Sequence, residues 1–377
     1  MPKTIHFLFL SSLAVGLLLF AARVEAHPKL LKGGRNQIAD QYIVVLHDSA
    51  PHPSTVAREH GRAPERVYEH VFKGYSAHIP PGALHRVLND PRVKSVEPDG
   101  IVKAIARPDK PGKPGGGGDK PEPPQVIDWG VSHVGGPMTY SGNNTAWVID
   151  SGIDLDHPDL NVDIASSASF VPRGKVTADD DNGHGTHVAG IIAAIDNGIG
   201  TVGVAAGANV ASVRVLDKSG SGWISWIIAG VDYVAANAEE GDVANMSLSA
   251  YGHWENLHNA ITALADLGVH VVAAAGNDGQ DASGEEPAHI DYPGVYTVSA
   301  IGDDGCLASF SNYGASVDYA APGVAILSLK KGGGVITYQG TSMAAPHVSG
   351  LLLLGSLNQF GYACDDPDGD ADPIAHF

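Results

Sequence analysis

Apolar side chains in this chain fall into short blocks whose period changes from region to region. The first block, from about Phe7 to Ala22, is a continuous apolar run behind Pro2 and Lys3, and Val24-Glu25-Ala26 sets small residues ahead of His27. This predicts an export signal over residues 1–26, because the run is short for a bilayer-spanning helix. No later run is long enough to span, so the remainder is expected off the membrane and outside the cell or in a periplasm. Residues 27–106 form the next unit. Residues 42–46 read as a buried strand, 54–60 as a helix capped by Ser54, 67–72 and 75–79 as strands, 81–88 as a helix and 93–96 as a last strand. The succession βαββαβ predicts a small ferredoxin-like α+β unit.

Residues 107–124 carry no apolar side chain beyond proline and read as a Pro/Gly-rich linker. Beyond it, over 125–377, apolar strands at 145–149, 210–215 and 269–274 alternate with helical stretches at 185–194 and 224–238. That alternation predicts an α/β domain, a parallel sheet with helices on both faces. Sites in such sheets lie beyond the carboxyl ends of the strands.

Charge divides along the same boundary. From Arg107 onward there are 33 acidic against 10 basic side chains, whereas 27–106 holds 8 acidic and 11 basic, within a total net charge of −19. The two units should attract each other. An acidic main domain argues against nucleic-acid binding. Cys306 and Cys364 lie apart from every candidate motif, and one disulfide or two buried thiols are both open.

Candidate chemistry sits in three runs: Val148-Ile149-Asp150-Ser151-Gly152, His184-Gly185-Thr186-His187, and Gly340-Thr341-Ser342-Met343-Ala344. A serine hydroxyl is a weak nucleophile, so it needs an imidazole to take its proton and a carboxylate to orient that imidazole. Asp150, His184 and Ser342 can fill these roles. Asp150 ends a strand, His184 opens a helix between two glycines, and Ser342 enters an apolar helix at its positive end. His187, one turn on, reads as structural. A metal pair with His184 is the alternative, and it lacks the glutamate of a His-Glu-x-x-His site.

In form and in the order Asp, His, Ser, these motifs resemble the subtilase family of serine proteases over roughly residues 125 to 362. Phe72-Lys73-Gly74-Tyr75-Ser76-Ala77 and Val96-Glu97-Pro98-Asp99 resemble the family's prodomain. The resemblance implies a secreted, monomeric endopeptidase that acts on proteins and peptides through an acyl-enzyme. Its own prodomain would inhibit it and be cut away near Ile105. A fold that only binds, without turnover, is the alternative, as is a prodomain that inhibits other proteases after release. Asn277 resembles the asparagine that joins the Ser342 amide in an oxyanion hole. Gly220, Ser221 and Gly222 on one side, and Ser247, Leu248 and Ser249 on the other, resemble the strands that clamp an extended peptide. Ser249-Ala250 replaces the usual Gly-Gly, which should narrow or polarise the primary pocket. Aligning Tyr292-Pro293 with the family's Tyr-Pro puts Asp291 near the pocket base, where it would favour a basic side chain. Gln125, Asp159 and Asn197, with the carbonyls of Ile195, Ile199 and Thr201, resemble a structural Ca²⁺ site. No catalytic cofactor is implied. The tail Asp366 to Asp372 has the composition of a calcium loop without EF-hand spacing and reads as a solvated acidic tail.

Overall fold

The computed structural model describes residues 27–105, 107–108, 124–172 and 176–377. The export signal and most of the linker expected from sequence lie outside the described residues. Residues 27–105 form the expected small unit: β1 (Gln37–Leu46), α1 (Pro53–Glu59), β2 (Arg66–Tyr68), β3 (Gly74–His78), α2 (Pro81–Leu88) and β4 (Val93–Ala104). The sheet is antiparallel in the order β4-β1-β3-β2. Val44, Leu46, Tyr75, Ala77 and Val96 pack beneath Val56, Leu84, Val87 and Leu88 of the two helices. Two details differ from the sequence reading. The N-cap of α1 is His52, whose Nδ1 accepts from the Ser54 N–H at 3.2 Å. More important, β4 runs on to Ala104 because its second half pairs outside the small unit.

The larger unit is built on a parallel sheet. Its central strands are β5 (Thr145–Asp150), β6 (Asn209–Arg214), β8 (Val243–Met246), β10 (His270–Ala274), β12 (Val295–Ile301) and β13 (Tyr319–Pro322). Two short strands near the site are β7 (Ser221–Trp223) and β9 (Leu248–Tyr251), and β11 (Glu285–Glu286) pairs antiparallel with β9. Lateral order in the main sheet is β13-β12-β10-β8-β5-β6, with every one of these pairs parallel. Such strands are covered on both faces, so they are apolar throughout yet still alternate. In β5, Ala146 and Val148 join one core with Val188, Ile192, Met343 and Val348 of α3 (His184–Ala193) and α6 (Thr341–Leu353). Trp147 and Ile149 face the opposite core with Ile227, Val231, Leu257 and Ile261 of α4 (Ile224–Asn237) and α5 (Glu255–Ala265).

The acidic tail is solvated only in part: residues 367–370 are exposed, as expected, but Asp372 is buried and the chain continues into a strand. Its last strand, β15 (Pro373–His376), pairs parallel with β13 and antiparallel with β14 (Asn358–Tyr362), and buries Ile374 and Ala375. Cys306 and Cys364 form a disulfide that ties the same edge, which resolves the open alternative. Asp372 is drawn under this edge, where its Oδ2 accepts from the Ser299 hydroxyl at 2.6 Å. Three residues of apolar pattern were too few to announce a strand behind so many carboxylates.

Burial, opposed by that hydrogen bond, pushes the Asp372 carboxyl up to about 7. The folded chain therefore holds a proton that the unfolded chain releases near pH 4. The stability this group contributes is full below about pH 4 and is lost as the pH rises through about 7. Asp372→Asn should remove this slope, so wild type should lose melting temperature relative to the variant between pH 5 and pH 8. Parallel melting curves across that range would show that the carboxyl is ionised in the fold.

Candidate active site

Asp150 closes β5, and its carboxylate is wholly buried. His184 is the first residue of α3, entered from Gly183 at φ +107°, a conformation that favours glycine. Gly185 must also be glycine, because a Cβ there would lie 2.1 Å from the Gly152 carbonyl oxygen. This close approach brings His184 Nδ1 within 2.8 Å of both Asp150 oxygens. Burial lowers the His184 pKa, but the charge and hydrogen bond of Asp150, with the charge of Asp180, outweigh it and raise the imidazole above its ordinary value. His184 Nε2 is buried and makes no hydrogen bond among the described residues. His187 points elsewhere: its Nε2 meets the Ile336 carbonyl at 3.1 Å, its ring stacks on Tyr338, and burial pulls its pKa down to about 3. It stays neutral and structural.

Ser342 lies in the first turn of α6, and its hydroxyl donates to the Ser247 carbonyl at 3.2 Å. Asn277 follows β10. Its Oδ1 accepts from the Thr341 N–H at 2.9 Å, which fixes the amide so that Nδ2 points outward. That Nδ2 donates to the carbonyl oxygen of Ile105.

Ile105 is there because β4 lies as the middle strand of three. Lys103 pairs with Ser221 and Ser249, Val102 with Gly222, and Ala104 with Leu248, all antiparallel. The Ala104 N–H also donates to the Gly220 carbonyl at 2.8 Å. The strand positions expected to clamp a peptide are therefore occupied by the chain's own residues 101–105. Beyond them, Arg107–Pro108 pairs antiparallel with the strand Val335–Gln339. Val102 is fully buried in the core that also holds Leu216, Ile224 and Leu248.

Asp291 departs from expectation: it is exposed and stands beside Asp318. A turn closed by His289 N–H to the Glu285 carbonyl (3.0 Å) and Ile290 N–H to the Pro287 carbonyl (3.0 Å) absorbs the longer loop, buries Ile290 and turns Asp291 outward. The acids that share a pocket with Ile105 are Glu285 and Asp278, together with Ser249, Tyr251 and Asn277, and of the two acids Glu285 is the buried one. Burial raises its pKa against hydrogen bonds from Ser249, Asn312 and Gln280. Ser249 does polarise the wall, by donating its hydroxyl to Glu285. Nothing in the local sequence separates Glu285 from its neighbour Glu286, and only the sheet register does so. Asp180 was also missed. It accepts from Ser151 Oγ (3.0 Å), Thr186 Oγ1 (2.6 Å) and the Gly183 N–H (2.8 Å), holding together the segments that carry Asp150 and His184. Its signal is the turn-forming run Asp179-Asp180-Asp181-Asn182-Gly183 ahead of the helix.

The residues of the expected calcium loop also converge. Gln125 Oε1 accepts from the Asn197 N–H at 2.9 Å, and Asp159 Oδ1 accepts from Asn197 Nδ2 at 2.9 Å. The Ile195 N–H donates to the Asp159 carbonyl, and Val126 bridges to Thr201. A Cβ at Gly200 (φ +61°) would come 2.4 Å from Asp159 Oδ2, so the loop wraps closely on that carboxylate. Gln125 and Asp159 thus bring hard oxygens of the kind a cation such as Ca²⁺ takes to the loop 195–201, where Gln125 Oε1 and Asn197 Oδ1 accept from loop N–H groups.

Docking of the small unit rests on helix ends. Neither Trp223 nor Trp254, the N-caps of α4 and α5, caps its helix with its own side chain. Asp99 accepts from the Ser225 N–H (3.0 Å) and hydroxyl (2.5 Å), and Glu97 accepts from the N–H groups of Glu255 (2.9 Å) and Asn256 (3.0 Å). In return, Asp232 of α4 accepts from the N–H groups of Glu69, His70 and Val71. Carboxylates thus satisfy orphan amides in both directions.

Comparison with known proteins agrees with this arrangement. Residues 144–358 match the subtilase family model, and residues 41–104 match that of the peptidase inhibitor I9. Subtilisin E of Bacillus subtilis (strain 168) is 35% identical over 354 residues, which cover 91% of this chain and 87% of that protein. Alkaline serine protease ver112 of Corniculantispora psalliotae is 37% identical over 347 residues, 88% of this chain and 84% of that protein. A solved structure of a cold adapted subtilisin-like serine proteinase aligns with a TM-score of 0.56 at 35% identity, covering 66% of this chain and 97% of that one. Fold and site together define a subtilisin-like serine endopeptidase carrying an inhibitor-type prodomain. The chain belongs to the subtilase family.

Asp99→Ala should weaken inhibition of the mature protease by added prodomain roughly tenfold to a hundredfold, since it strips buried donors of their acceptor. An unchanged inhibition constant would show that the helix caps do not hold the prodomain.

Proposed function

We propose that this chain is a secreted, self-processing serine endopeptidase whose first substrate is its own Ile105–Ala106 bond. The observation that carries the reading is the Asn277 Nδ2 hydrogen bond to the Ile105 carbonyl, made while β4 is held between β7 and β9. In this reaction His184 Nε2 takes the proton of Ser342 Oγ as that oxygen attacks the Ile105 carbonyl carbon. Asp150 keeps the imidazole N–H on Nδ1 and stabilises the imidazolium that forms. Negative charge collects on the carbonyl oxygen, where Asn277 Nδ2 and the Ser342 N–H receive it. The imidazolium then protonates the leaving nitrogen of Ala106, and water, deprotonated by His184, hydrolyses the acyl-enzyme. No cofactor takes part. With the segment 101–105 in place the Ser342 hydroxyl still donates to the Ser247 carbonyl, so attack requires it to turn toward His184 Nε2.

The same strand pairing supports a subsite reading. Ile105 stands beside a pocket walled by Ser249 and Glu285, and Val102 is buried in an apolar one. Peptides with apolar residues at both corresponding positions are therefore the preferred substrates. A structural Ca²⁺ held by Gln125, Asp159, Asn197 and the carbonyls of Ile195, Ile199 and Thr201 would clamp the loop 195–201 without touching the reaction.

Purified wild-type chain should lose its prodomain and show a new N-terminus at Ala106, whereas Ser342→Ala should remain intact by mass. Self-cleavage by the Ser342→Ala chain would overturn the mechanism. Asn277→Ala should lower kcat about 10²- to 10³-fold with little change in KM. Chelation should lower the melting temperature by about 5 to 10 °C, as loss of a saturating ion from a domain of this size does. Asp159→Asn should abolish most of that calcium-dependent difference.

A further inference from the structure

Away from the cleft, His253, His258, Glu286 and His289 each offer one donor atom, and these atoms lie within 4.8 Å of one another. The four come from different elements. His253 follows β9, His258 sits in the first turns of α5, Glu286 ends β11, and His289 lies in the turn beyond it. His253 Nδ1 is 3.0 Å from His289 Nε2 and 3.4 Å from Glu286 Oε2, and His258 Nδ1 is 3.7 Å from Glu286 Oε1.

The outward nitrogens decide what the inward ones can be. His253 Nε2 lies 3.0 Å from the Glu255 carboxylate, and His289 Nδ1 lies 3.2 Å from both the Glu285 carbonyl and Glu286 Oε2. All three partners are acceptors, so both of these nitrogens carry hydrogen. In neutral rings His253 Nδ1 and His289 Nε2 then present two lone pairs to each other at 3.0 Å, a contact that either a second proton on His253 or a shared metal ion makes favourable. Two further atoms of the cluster, His258 Nδ1 and Glu286 Oε1, are buried without a hydrogen-bond partner, a costly state for polar groups.

We propose that these four side chains bind one divalent transition metal ion of the Zn²⁺ class. Bonds of about 2.0 to 2.1 Å in a tetrahedron set ligand atoms about 3.4 Å apart, close to the spacings already present. Three imidazoles and one carboxylate suit Zn²⁺ rather than Ca²⁺ or Mg²⁺, which prefer oxygen. Glu255 and the Glu285 carbonyl supply the outer acceptors that such histidines normally have. The ion would also brace the docking surface. Glu286 Oε2 accepts from the Trp254 N–H at 3.2 Å, and the Trp254 indole lies against Gly34 and Gly100, where an added Cβ would come within 2.4 and 2.0 Å.

The test uses untagged, chelator-treated chain in excess Ca²⁺, so that oxygen-rich loops are filled, titrated with Co²⁺. The expected result is an intense visible band saturating at one equivalent per chain and displaced by one equivalent of Zn²⁺. His258→Gln and His253→Gln should each weaken Co²⁺ binding by more than the roughly 10- to 100-fold typical of losing an outer partner. His133→Gln, in a histidine outside the cluster, should leave it intact. Should His258→Gln fail to fold, His253→Gln decides, because that side chain is half exposed. Absence of a saturable band, or a band that persists in a folded cluster variant, would overturn the site.

Discussion

Everything at the cleft depends on one strand finding two partners at once. β4 begins as an edge strand of the small unit and ends as the middle strand between β7 and β9, so a single extended segment joins two cores. An edge strand exposes a row of unpaired N–H and C=O groups, and two facing edges would do so twice. Inserting β4 satisfies both and fixes the register at Lys103 against Ser221 and Ser249. Register is a strict constraint, because a one-residue slip would turn Val102 from its apolar pocket to solvent. With Val102 fixed, Ile105 has one place to go, and its carbonyl meets Asn277.

The acidic character of the larger unit suggests docking by bulk attraction to a basic partner, yet the contacts are made mainly by carboxylates on both sides. Glu97 and Asp99 are buried acids that accept from helix N-termini, and Asp232 repeats the pattern in the other direction. Burial raises Glu97 to about 8 and Asp99 to about 6 even so. Amide donors and the helix dipole therefore offset only part of the desolvation. Such contacts are short in range and exact in direction, so they specify orientation where a diffuse charge difference would only bring the units near each other.

What was legible in the sequence follows from how local each signal is. Asp150, His184 and Ser342 each sit where a strand or helix ends beside glycine, and the chemistry of such turns is written in neighbouring residues. The βαββαβ order and the parallel sheet were legible for the same reason, as periodicity within single elements. The full length of β4 was not, since Glu97-Pro98-Asp99-Gly100 reads as a break and the partners that keep it extended lie more than a hundred residues away. Asp291 was misplaced because matching Tyr292-Pro293 fixes only the end of a loop whose extra residues are absorbed upstream, between Glu285 and Ile290. In the tail, composition describes residues 367–370, which are exposed, and misses Asp372, which is buried despite its charge because Ile374 and Ala375 beside it complete the sheet edge. The histidine cluster has no sequence signature, since its members are spread over 37 residues, on one helix, one strand and two connections.

Geometry also separates cutting from release. In the proposed reaction the broken bond follows Ile105, while every contact that holds the small unit lies upstream of it: β4 between its two partners, Glu97 and Asp99 on the helix ends, Glu69 to Val71 on Asp232, and Gly34 and Gly100 against Trp254. Cleavage removes none of these. It severs only the covalent link, and changes association from intramolecular to bimolecular without disturbing the interface. In that reaction the product carboxylate at Ile105 would stay in the groove with its oxygen toward Asn277, and the cut chain would remain a competitive occupant of its own site. On the proposed reaction, inhibition by the prodomain and its service as first substrate are one pose, and the enzyme would become free when the small unit itself is lost.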